Sequence, residues 1–181
     1  MKKILIIAAV FGLAFTVTKM IKTKVSDGIT VTLPDTLTPM EPEDILQRFP
    51  SVRNPLGAYT NIDRDVDFSV NISATQWPDA DIQLAQKFFK SGINNLYDRI
   101  EMIDEGVHEI NKKQYIFFVF ESRQNAEQRS IGATESKAKY TYIQYLVEPR
   151  RTLVFTFSCP SRVRDDWEDM AHEIMNSIRV K

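Results

Sequence analysis

The chain has 181 residues, 43% of them hydrophobic and 26% charged, with a formal net charge of −1; this is the balance of one ordinary globular domain, not of a disordered or fibrous chain. Lysine and arginine are scattered rather than clustered, so the electrostatic footprint that grips a phosphate backbone is missing and nucleic acid is not an expected partner. A single cysteine, Cys159, excludes an intramolecular disulfide and lies too far from the N-terminus to be a lipid-modified leader cysteine.

Residues 1–18 read as a signal peptide. Lys2 and Lys3 precede an apolar stretch from Ile4 to Phe15, and Thr16 to Thr18 lead into a basic segment. About a dozen apolar residues fall short of the roughly 20 that cross a bilayer as a helix but match the apolar region of a leader. Ala14 and Thr16 permit cleavage without making an Ala-x-Ala site, so an uncleaved anchor stays open as the alternative. Residues 19–25 then read as a linker and 26–181 as a single domain.

Within that domain, Ile29, Val31 and Leu33 alternate with Thr30 and Thr32 up to Pro34, which is a strand with one buried face. Four prolines between Pro39 and Pro55 leave room only for a short helix, Glu43 to Arg48. Val66, Phe68, Val70 and Ile72 alternate with polar residues and predict a strand paired with Gly57 to Ile62. The period then lengthens: Ile82, Ala85, Phe89, Ile93 and Leu96 recur at three or four, with Phe88 widening the stripe, predicting an amphipathic helix over Asp79–Tyr97 with its start at Pro78 and Asp79. Strands follow at Ile100–Ile103 and Val107–Ile110, and a turn at Asn111–Lys113 leads into Tyr115–Phe120, apolar on both faces and so a central strand covered on two sides. Lys139–Val147 and Thr152–Ser158 predict two strands joined across Glu148, Pro149, Arg150 and Arg151, short enough for a hairpin. The chain closes with a helix that Ser161 can cap, whose buried stripe is Val163, Trp167, Met170, Ile174 and Ile178.

Successive hairpins with interposed helices imply an α+β fold with a largely antiparallel sheet. The order of elements, with the strand Gly28–Leu33, the proline-rich loop, Asp67–Ser73 leading into the helix Asp79–Tyr97, the hairpins, and the closing helix with Trp167, resembles the PsbP/Mog1-like family over about Ser26–Lys181. The resemblance implies an α/β/α sandwich around an antiparallel sheet. It also implies an accessory or binding role, since members of that family are mostly non-catalytic and several are exported. It carries over no catalytic or ligand residue.

The candidate chemistry is sparse. Asp63, Asp65 and Asp67 have the spacing that opens a calcium loop, but Phe68 and Ala74 stand where such a loop needs glycine and glutamate, which favours a solvated turn. Cys159, just before the last helix, is either a thiol activated by the helix end or a small buried hydrophobe. As a nucleophile it needs a base, and with His172 poorly placed along the helix the thiol-hydrolase alternative requires His108 within hydrogen-bond reach. No metal spacing and no glycine-rich nucleotide loop is present, so no cofactor is expected. Asn71–Ser73 is a glycosylation sequon inside an expected strand.

Tyr140 and Tyr142 fall on one sheet face and Tyr145 on the other. An exposed tyrosine face, with Arg150 and Arg151 of the hairpin, would make a protein-recognition surface, whereas tyrosines under a helix would only pack. The polar segment Gln124–Ser136 is either a binding loop or a solvated excursion. The leading expectation is an exported, non-catalytic binding or accessory protein of the cell envelope. Its partner is another protein, and it contacts the membrane only through its N-terminal segment.

Overall fold

The computed structural model describes residues 18–50, 54–75, 77, 81–97, 99–123 and 138–181. The leader before Thr18, the helix start at Pro78 and Asp79, and the segment Gln124–Ser136 therefore lie outside the described residues. In chain order the elements are β1 (Met20–Ser26), β2 (Ile29–Pro34), β3 (Thr38–Pro39), α1 (Pro42–Arg48), β4 (Gly57–Thr60), β5 (Asp67–Ile72), α2 (Ile82–Leu96), β6 (Arg99–Ile110), β7 (Lys113–Arg123), β8 (Ala138–Glu148), β9 (Arg151–Pro160), α3 (Arg164–Asn176) and β10 (Arg179–Val180). Seven strands form the main sheet in the order β3-β4-β5-β9-β8-β7-β6, and β1-β2-β10 form a smaller one. Every pairing is antiparallel.

Alternation along the long strands sorts the core into two layers. Ile116, Phe118 and Phe120 of β7 and Tyr145 of β8 point to one side, where α2 covers them with Ala85, Phe89 and Ile93. Phe89 stacks on Tyr145 with ring centroids 4.2 Å apart. On the other side Tyr140, Tyr142, Phe155, Phe157 and Phe68 meet Ile174 and Met175 of α3, together with Ile29, Val31 and Leu33 of β2. One tryptophan belongs to each layer: Trp77 packs beside Phe89, and Trp167 against Phe157. The sandwich of helix, antiparallel sheet and helix is the expected one, and β7 is covered on both faces as its sequence implies, although it lies one place in from the β6 edge.

Four local readings change. The expected linker over residues 19–25 is mostly strand β1, in register with β2 from Met20↔Pro34 to Ser26↔Ile29, so Met20–Val25 belong to the folded domain with Ser26. Its exposed Lys22 and Lys24 are the charges that guard an edge strand. The two strands expected within Ile100–Ile110 are one strand, β6, interrupted by a bulge between Met102 and Asp104. Helix α2 is capped by Asp81, whose side chain accepts from the backbone N–H groups of Gln83 and Leu84. Ser161 caps nothing: it opens a 3-10 turn, Ser161–Val163, ahead of α3, and its Oγ is buried without a partner.

Two tight turns fix the hairpins. Gly28, at φ 78°, closes β1–β2, and Asn111 and Lys112, at φ 52° and 65°, close β6–β7 in the left-handed geometry that matches strand twist.

Candidate functional site

The sheet has two ends. At one lie the β8–β9 and β6–β7 turns and the start of α2; at the other lie the β4–β5 turn, the entrance to α3, the end of α1 and the paired residues Arg123 and Ala138 that bracket residues 124–137. The second end carries the larger concavities.

The β4–β5 turn is locked from within. The Asn61 side chain accepts from the backbone N–H groups of Asp65 and Val66, and Arg64 takes φ 57°. Between this turn, Arg48, Lys139 and Arg162 runs a charged cleft of about 980 Å³. Asp67 accepts from Arg48 at 2.5 Å and from the Thr60 hydroxyl at 2.8 Å, while Arg48 also donates to the Arg64 carbonyl at 2.7 Å. Asp65 accepts from Arg162 at 2.7 Å and from Asn61 at 2.9 Å. Two members of the aspartate triplet are therefore engaged by arginines, and the segment is the turn between strands that an incomplete calcium motif suggests. Among the described residues, no group of three or more histidine, cysteine or acidic side chains is placed to hold a metal ion.

Across the same turn lies a groove of about 660 Å³ whose walls include Thr18, Asp35, Ile62, Trp167 and Met170. Ile62, at the tip, is 93% exposed. Asp63 borders both concavities, so the turn is a ridge with charge on one flank and apolar surface on the other. That pairing of an apolar centre with a polar rim is the anatomy of a protein-binding surface.

The sequence-derived candidates fall elsewhere. Tyr140 and Tyr142 are 0% and 2% exposed, packed beneath α3, so no recognition face can be built on them. Tyr145, on the opposite face as expected, is buried under α2. Burial raises all three phenol pKa values well above the ordinary 10, with Glu168 adding to the effect at Tyr140 and Asp104 at Tyr142. Arg164 lies 5.3 Å from the centre of the Tyr140 ring and is held there by two 3.0 Å hydrogen bonds to Glu168. Arg150 and Arg151 are at the far end of β8, about 25 Å from Tyr140 at strand rise. Arg150 is exposed, and Arg151 donates to Glu148 at 2.8 Å.

Cys159 and His108 are also kept apart. Val107, beside His108, is level with Ile116, Tyr145 and Val154 across the sheet, and Cys159 lies three strands over and five residues further along. Those steps separate the two on the order of 20 Å. Cys159 is fully buried, and burial, reinforced by Asp65, pushes its thiol up to about 12, the opposite of an activated nucleophile. The remaining charges acting on it are Lys139, Glu121 and Arg164, not a histidine. His172 packs edge-on against Tyr142, 5.0 Å between ring centres.

Arg48, Arg64, Arg162, Ile62 and Trp167 were not singled out as site residues by their sequence context. Ile62 left one legible trace, an isolated apolar residue in the polar run Asn61–Asp65. Arg162 meets Asp65 across 97 positions, a proximity that only the fold creates.

No family model matches the chain, and no curated protein matches it. Solved structures do. Cyanobacterial PsbP (CyanoP) from Synechocystis superposes with a TM-score of 0.60 at 12% identity, over 93% of this chain and 96% of that one. The Saccharomyces cerevisiae Ran-binding protein Mog1p gives 0.58 at 10%, over 91% and 96%. Protein PA94 of Pseudomonas aeruginosa, of unknown function, gives 0.53 at 10%, over 90% and 97%. The chain thus has the PsbP/Mog1-like fold, and at such identities the likeness speaks for fold alone.

Proposed function

We propose that this chain is an exported, non-catalytic accessory protein of the cell envelope that binds another protein at the β4–β5 end of its sheet. The observation that carries the reading is the Ile62 ridge, where a 93% exposed isoleucine stands between an arginine-rich cleft and an apolar groove. An isoleucine held in water at a turn locked by Asn61, next to the groove lined by Trp167 and Met170, supports a partner docking there. Export rests on the leader-like residues 1–18 of the sequence. The fold's use as a protein-binding scaffold in Mog1p, named as Ran-binding, supports the choice of a protein partner.

The test is crosslinked capture from envelope extract with the wild-type chain, Ile62→Asp and Arg162→Glu, with the N-terminus of the recovered protein sequenced. Ile62 is exposed and unpaired, so Ile62→Asp should change folding by no more than about 0.5 kcal/mol. Arg162→Glu also breaks the ion pair with Asp65 and is used only with its thermal midpoint checked. A partner crosslinked by the wild type and lost in Ile62→Asp is the expected outcome. Equal capture by all three chains would move the binding site elsewhere, and an unprocessed chain recovered from cytoplasm would remove the envelope role.

A further inference from the structure

Helix α2 carries two apolar rows. Ala85, Phe89 and Ile93 are buried against the sheet. The adjacent row, Leu84, Phe88, Gly92 and Leu96, is spaced by four and faces outward: Leu84 is 54%, Phe88 45% and Leu96 67% exposed. A Cβ at Gly92 would meet nothing within 4 Å. Trp77 packs on Phe88 at 5.1 Å between ring centres and widens the patch. Within Ile82–Leu96 the charged residues are Lys87 and Lys90, and Lys90 is already paired with Glu105 at 2.6 Å. The exposed face of α2 also carries Gln83, Lys87, Ser91, Asn94 and Asn95, so the apolar row runs between polar flanks.

We infer that this row docks onto the same row of a second copy of the chain, in an antiparallel two-fold pair. A two-fold contact is made by one patch on both copies, so the patch must be complementary to itself. This row is. With the axis at the middle of the row, Phe88 faces Gly92 of the partner subunit and Leu84 faces Leu96 of the partner subunit, and each contact occurs twice. The bulkiest side chain of the row meets the position that has none, the fit by which i±4 rows interlock at about −50° with helix axes roughly 8–10 Å apart.

The ends agree with the middle. Antiparallel helices set the positive end of one dipole beside the negative end of the other. Asp81, exposed at the head of α2 and capping it, comes to the tail of the other helix, where the sequence carries both Asp98 and the exposed Arg99, so no like-charge excess opposes the contact at either rim. A 15-residue helix is about 22 Å long. Helices crossed at about −50° touch only around the crossing, so even with Trp77 the pair buries less than about 1,000 Å² over both copies, below the range of stable interfaces. The dimer is therefore reversible and fills with concentration, and it leaves the Ile62 ridge free, since α2 and α3 cover opposite faces of the sheet.

Sedimentation equilibrium of the purified chain, from micromolar to millimolar concentration, tests this. The wild type should pass from a 20.9 kDa monomer to twice that mass. Gly92→Phe fills a notch that is open in the fold; it should keep the thermal midpoint and weaken association at least tenfold, and Leu84→Lys should do the same. A wild type that stays monomeric at millimolar concentration overturns the proposal. So does a folded Gly92→Phe that associates as tightly as the wild type, which would assign the association to the leader or to another face.

Discussion

His108 sits in a half-buried slot on the α3 side of β6, its ring 4.7 Å from Phe117 in a stacked arrangement. The Gln144 Oε1 atom is an acceptor, so His108 Nε2 donates to it at 3.1 Å, while Gln144 Nε2 donates onward to the Met175 carbonyl at 3.4 Å. Burial draws the His108 pKa below its ordinary 6.5; His172 pushes the same way, and the Gln144 hydrogen bond and Asp104 oppose both. The folded state thus binds this proton less readily than the unfolded chain. The stabilisation is complete above about 6.5 and is lost as pH falls below it toward the lower folded pKa. The thermal midpoint should therefore drop as pH falls below about 6.5, and His108→Gln should flatten that part of the profile; a wild-type midpoint that stays constant there would show that the slot is indifferent to the charge. Cys159 illustrates what sequence leaves to the fold: a lone thiol beside a helix entrance favours the inert, buried reading, with the activated one as the alternative. Its burial, decided by the neighbouring strands, selects the inert reading.

Strands and helices were legible wherever one rule acted alone. The alternation in β5 and β2 and most of the three-and-four spacing in α2 and α3 reappear where the sequence puts them. Leu96, expected in the buried stripe of α2, is instead 67% exposed, Ile178 lies beyond the end of α3, and Glu148 and Arg151 pair as strand residues, which shortens the β8–β9 turn to two. Boundaries failed where two rules competed. Lysines made β1 look like a linker, although the same charges suit an edge strand, and β10 is too short to show a period. The place of β1 in the fold has a sharp check in its contact with β4. A Cβ built on Gly57 would come within 2.5 Å of Val25 Cγ1, so that glycine makes room for the strand. Gly57→Ala should cost about 1–3 kcal/mol in urea unfolding, as overpacking does, and Val25→Ala should recover most of the loss in the double variant. Additive losses would mean that β1 does not press on β4.

At the scale of the molecule, the candidate surface was the least legible feature because it is assembled from distant positions. Arg48 at the end of α1, Ile62 in a turn and Trp167 in α3 share no spacing that sequence could reveal, and the tyrosines that did stand out are held in the interior by α2 and α3. The two layers nevertheless share β7, β8 and β9, so each strand's backbone is common to both. With one tryptophan on each side of that shared wall, the chain carries a pair of native fluorophores that watch opposite halves of the interior. Trp77→Phe and Trp167→Phe isolate them in turn, and their emission should follow one and the same transition with denaturant. Separate midpoints would reveal a wall that can shed one covering while it keeps the other, so a single global stability would no longer describe this protein.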